Sequence, residues 1–158
     1  MLQSFNTISE FHNCSLSDFH ESSLANLVEG LKEIEADYET PIPRIKKDIT
    51  KLFSDEGFIT DVIIHPAHRL DVNGIKEDIC FGAQLGNAAR FYADVIKMQY
   101  LFIEGVITKA IYVTFTRDFI KKSYSGNNIS FERAISEITL FKSIITLPIY
   151  FIGIDLEE

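Results

Sequence analysis

The chain has 158 residues, 46% of them hydrophobic and 24% charged. That balance excludes a disordered or fibrous protein and suits one domain with a core of its own. The formal net charge of −8 runs against the basic surface with which proteins usually neutralise phosphates, so a nucleic-acid partner would need a local concentration of Lys and Arg. Cys14 and Cys80 are the only cysteines and lack metal-ligand spacing, which reads as two free thiols in a reducing compartment. No basic segment followed by an apolar run opens the chain, and the longest apolar run, Leu147 to Ile154, is too short to span a bilayer. A cytoplasmic protein without a membrane partner is expected.

In chain order, Ser15 or Ser17 can cap a helix over Asp18–Asp37, whose Leu24, Leu27, Val28, Leu31 and Ile34 form one apolar stripe. Glu35 falls in that stripe, either as a carboxylate reaching solvent at the helix end or as one aimed at a site beneath it. Pro41 and Pro43 stop this helix. A second follows over Pro43–Asp55, with Ile45, Ile49, Leu52 and Phe53 inward and Arg44, Lys46, Lys47 and Lys51 outward. Such a face is most often solvated, yet it is also a first candidate for contacting phosphate. Strands are predicted at Phe58–Ile64, His68–Val72 and Ile79–Leu85. An apolar helix over Arg90–Glu104, a central strand at Ala110–Phe115, a helix from Ser130 to Phe141 and a last strand at Ile149–Asp155 complete the order. One domain over residues 1–158 is expected, with a helical part at 1–57 and a mixed sheet flanked by helices at 58–158.

Alternation in Ile79–Leu85 places Cys80, Gly82 and Gln84 on one face of the strand. A glutamine in an apolar strand needs a partner or a role. Whether Asp71 reaches Gln84 depends on the turn between their strands. A tight turn at Asn73-Gly74 would pair Asp71 with Lys76. A looser loop over Gly74–Ile79, favoured by the polar Lys76-Glu77-Asp78, would set Asp71 opposite Gly82. His65 and His68 flank Pro66-Ala67 without any further ligand cluster, and read as exposed loop residues.

The stretches Leu70-Asp71-Val72, Gly82-Ala83-Gln84-Leu85-Gly86-Asn87 and Arg90-Phe91-Tyr92-Ala93-Asp94, with Lys97 and Gln99, resemble the BglII/BstYI-type restriction endonucleases of the PD-(D/E)XK nuclease superfamily. The resemblance continues through Phe102–Val106, the strand Ala110–Phe115 and Phe131–Asp155. It covers about the last ninety residues. It implies a restriction-endonuclease-like α/β fold and Mg²⁺-dependent hydrolysis of double-stranded DNA at a short palindromic site by a homodimer. It implies that Asp71 binds the metal and that Gln84 orients water or phosphate by hydrogen bonds. Glu35 is a further catalytic carboxylate and metal ligand by weaker analogy. Gly82 stands where the family has a glutamate. Losing one of two metal carboxylates should remove most of the catalysis that depends on the ion.

Candidate DNA contacts are Arg90, Lys97, Arg117, Lys121, Lys122 and the loop at 123–128. The first reading is thus a type II restriction endonuclease impaired at Gly82. The second is the same fold acting only as a module that binds DNA or a protein. A third, an unrelated α/β protein with structural Asp71 and Gln84, would be favoured by a tight hairpin at Asn73-Gly74.

Overall fold

The computed structural model describes residues 1–123 and 127–157. Its strands are β1 (Gln3–His12), β2 (Glu35–Ala36), β3 (Ile59–His65), β4 (Leu70–Lys76), β5 (Ile79–Ala83), β6 (Lys109–Phe115) and β7 (Ile149–Leu156). Its helices are α1 (Glu21–Lys32), α2 (Ile42–Asp55), α3 (Ala88–Ile103), α4 (Arg117–Ser123) and α5 (Phe131–Leu140). The strands form one mixed sheet in the order β2-β1-β7-β6-β5-β4-β3. β5, β6 and β7 run parallel, and their neighbours on both sides run antiparallel.

Helices cover both faces of the sheet, which is why β6 and β7 are near-continuous apolar runs. On one face Leu24, Leu27, Leu31, Ile45, Ile49 and Phe53 of α1 and α2 pack on Phe81, Val113 and Ile152. Phe53 stacks on Phe81 with ring centroids 3.8 Å apart. On the other face Phe91, Val95 and Met98 of α3, with Ala134 and Ile138 of α5, pack on Tyr112 and Phe151. The expected mixed sheet with flanking helices is the observed architecture.

Two expectations need correction. The first 57 residues are not wholly helical, because β1 pairs with β7 from Phe5 to His12. Its polar Ser4, Asn6, Thr7, Ser9 and Glu10 blur the alternation that marks a strand, so the distant partner supplies the signal. The helix expected to reach Asp37 ends at Lys32, and Glu35 lies in β2, where Ser4 pairs with it.

The hairpin joining β4 to β5 is also neither of the two forms expected. Its turn is Glu77-Asp78, with Lys76 paired to Ile79 and Glu77 at a φ of 52°. Asn73-Gly74 lies inside β4 instead. The ladder ends at Gly74 opposite Phe81, and one residue further the Asn73 side-chain oxygen accepts the Ala83 N–H at 3.2 Å. Asn73, not Asp71, therefore adjoins position 82.

Candidate active site

The start of β4, the end of β5 and the first turns of α3 enclose a cleft of about 310 Å³. Asp71, Asn73, Gln84, Arg90, Asp94 and Lys97 line it, and Lys46 reaches it from α2. Its lining is mostly polar. A second cavity, of about 180 Å³, lies between α1 and the sheet, lined by Phe19, Leu24, Phe58, Ile79 and Ile111 among others. It is more apolar, and its charged side chains are Glu56, Lys76 and Glu77.

Gln84 is buried at the end of β5. Its Oε1 accepts the N–H groups of Gly86 at 3.1 Å and Asn87 at 3.3 Å, so the side chain shapes the turn into α3. Asn87 then caps α3, its Oδ1 accepting from Ala89 and Arg90. That cap fixes the first turn of the helix and with it Arg90, which stands exposed at the cleft.

Arg90, Asp94 and Lys97 follow at helical spacing, which brings all three to one side of α3. The Lys97 ammonium donates to the Asp71 backbone oxygen at 2.6 Å, lies 3.2 Å from Asp94 Oδ1, and lies 3.9 Å from Asp71 Oδ1. On its other oxygen Asp94 accepts from the Tyr112 hydroxyl at 2.9 Å. Burial pushes the Tyr112 phenol well above its ordinary value, and the Asp94 charge adds to this, so the phenol stays a proton donor.

Gly82 faces this network. A Cβ built there would meet the Met98 methyl and would lie 2.7 Å from the Tyr112 ring. The place of a side chain is therefore taken by α3 and β6.

A family model, Restriction endonuclease BglII/BglIII, matches residues 12–154. The chain belongs to the BglII/BglIII restriction endonuclease family. The crystal structure of restriction endonuclease BglII complexed with a DNA 16-mer superposes with a TM-score of 0.80 at 12% identity, covering 94% of this chain and 75% of that one. The likeness establishes a shared fold. No curated protein sequence matches the chain.

Against this BglII/BglIII frame, the cleft brings together Asp71, Gln84, Arg90 and Lys97 of the predicted residues. It excludes Glu35. That residue is exposed on β2, five strands from β4 and so about 24 Å across the sheet. The apolar stripe that suggested a buried role stops at Leu31, and pairing with β1 takes over. Arg117, Lys121 and Lys122 sit together on α4, outside the cleft. The Arg117 N–H donates to Glu132, and the Lys122 ammonium lies 5.4 Å from the centre of the Tyr38 ring. Of the 123–128 loop, residues 124–126 lie outside the described residues. Asn127 and Ile129 abut the start of α3, bonding Ala88 and Gly86. His68 is exposed in a turn as expected, but His65 ends β3 and is half-buried; their rings lie 4.6 Å apart, tilted by 41°, and neither lines the cleft.

Sequence reasoning missed Asn73, Asp94 and Tyr112. Asp94 carried a usable signal, since Arg90, Asp94 and Lys97 are charged residues spaced i, i+4 and i+7 on an otherwise apolar helix. Asn73 and Tyr112 carried none, because their positions depend on register.

The family generally uses a divalent metal, which needs several oxygen ligands. The residues present do not fit one. Position 82 offers no ligand, the Asn73 oxygen is taken by Ala83, and Asp94 is engaged by Tyr112 and Lys97. Among the described residues no three His, Cys, Asp or Glu side chains converge where a metal could be held.

Proposed function

We propose that this chain binds double-stranded DNA through the cleft and that its Mg²⁺-dependent cleavage is abolished or severely impaired. One observation carries the reading. Lys46, Arg90 and Lys97 converge on the cleft, while the carboxylate expected at position 82 is replaced by a glycine packed under Met98 and Tyr112. Cations at the C-terminal end of β5 suit a phosphodiester, and the neighbouring structure named above is a DNA complex.

The expected homodimer on a palindromic site remains part of the reading. Ile96, Tyr100 and Ile103, exposed at helical spacing on α3, offer a face that a second copy would cover.

The test pairs binding with cleavage. Anisotropy of a labelled duplex should rise with the protein at low salt and fall back as salt is added. A long unmethylated DNA should stay uncut in Mg²⁺. Discrete fragments would overturn the impairment, and a flat anisotropy at low salt would overturn the DNA reading.

A further inference from the structure

The ammonium of Lys97 lies between two carboxylates of the cleft, 3.2 Å from Asp94 Oδ1 and 3.9 Å from Asp71 Oδ1. It is only 18% exposed, and its 2.6 Å bond to the Asp71 backbone oxygen anchors it there. A divalent ion placed between Asp71 and Asp94 would have to displace it. With Lys97 in position, the cleft holds three cationic side chains against two carboxylates. Lys46 and Arg90 make no ion pair among the described residues. Gln84 adds a donor, since its oxygen is held by the turn while its Nε2 makes no hydrogen bond among the described residues. A cleft with that balance favours an anion.

We infer that the cleft is a metal-independent seat for a backbone phosphate, held on Lys97, Arg90 and Lys46, with the Lys97 ammonium standing in for a divalent ion. This rests on the DNA reading above. It adds that binding is indifferent to divalent ions, and that one lysine on α3 makes it so.

Affinity for a fluorescein-labelled duplex, measured by anisotropy in EDTA and again in Ca²⁺, tests the inference. At matched ionic strength the native chain should bind no more tightly in Ca²⁺ than in EDTA. Lys97→Met should bind about tenfold more weakly in EDTA, the scale of one charge-assisted hydrogen bond. Ca²⁺ should restore part of that loss, because Asp71 and Asp94 are then open to an ion. Native binding that requires Ca²⁺ would overturn the inference and leave the DNA reading standing.

Inorganic phosphate separates the two failures if no duplex binds. A rise in melting temperature with phosphate in EDTA, absent in Lys97→Met, upholds the seat. No rise together with no duplex binding overturns both readings. Arg90→Gln, at an exposed position, serves if Lys97→Met does not fold. It should weaken binding several-fold in EDTA without rescue by Ca²⁺, since it frees no carboxylate. Unchanged binding in that variant would overturn the seat.

Discussion

At residue 82 the absence of a side chain is a packing fact as much as a chemical one. The Tyr112 ring is fully buried and cannot swing away, although the Met98 methyl ends a flexible chain. Restoring the family carboxylate alone therefore meets a filled space. Gly82→Glu is expected to cost about 1–3 kcal/mol by overpacking and to yield no cleavage, with Met98→Ala recovering part of the lost stability. Thermal melting and a cleavage assay on the single and double variants check this. A normal melting temperature with discrete DNA fragments from Gly82→Glu would show that the neighbours yield and that the metal site can be rebuilt.

The thiols also report their surroundings. Burial pushes Cys80 up to about 12, with the Asp94 charge adding to it, and burial likewise pushes Cys14 up to about 11. Neither forms appreciable thiolate at pH 8. Iodoacetamide is expected to leave Cys80 unmodified in the native chain and to label it after denaturation, as read by mass spectrometry.

At the scale of elements, the β4–β5 turn and the start of α3 decide where the cleft residues stand. Asp78 ends the turn by accepting from the Thr108 hydroxyl, with Lys109 3.3 Å away. The Thr108 hydrogen bond, more than the Lys109 charge, holds its carboxyl below the ordinary value of 3.8. A carboxyl depressed on folding stabilises the chain above its unfolded value, and that gain disappears as the pH falls through the lower folded value. Asp78→Asn should therefore lower the melting point at pH 7, and the difference should close progressively below pH 3.8. The Asp78 side chain is 45% exposed, so screening limits the effect to about 0.5 kcal/mol. At the other end of β5, Asn87→Ala removes the α3 cap and should cost about 1 kcal/mol. Duplex affinity should fall with it, because Arg90 lies in the turn that the cap orders. A melting curve beside an anisotropy titration would detect both losses.

For the molecule as a whole, the net charge of −8 is compatible with the proposed DNA partner because Lys46, Arg90 and Lys97 gather at one cleft. Strong salt dependence is the expected signature. Three cationic contacts correspond to a log–log slope of about −3, and Lys97→Met should reduce its magnitude by about 1. A slope near zero would mean that bound duplex does not rest on phosphate contacts.

Much of this architecture is encoded locally. The apolar runs of β6 and β7, the inward face of α2, the apolar α3 and the alternation of β5 follow from side-chain periodicity, and all are present within a few residues of the predicted bounds. The family likeness was legible for the same reason, since helix and strands occur in order around Gly82-Ala83-Gln84. Pairing is not encoded that way. β1 is a strand because β7, more than a hundred residues away, offers it a partner, and this claimed Glu35 for a sheet edge. A register fixed by the Glu77-Asp78 turn put Asn73 rather than Asp71 beside position 82. The meeting of Lys97, Asp94, Tyr112 and Asp71 joins a helix to two strands across the core. By itself the sequence determined most of the elements and left position 82 without a side chain. Only tertiary structure decided which residues adjoin position 82, because contacts between distant segments depend on register and packing that no local pattern records.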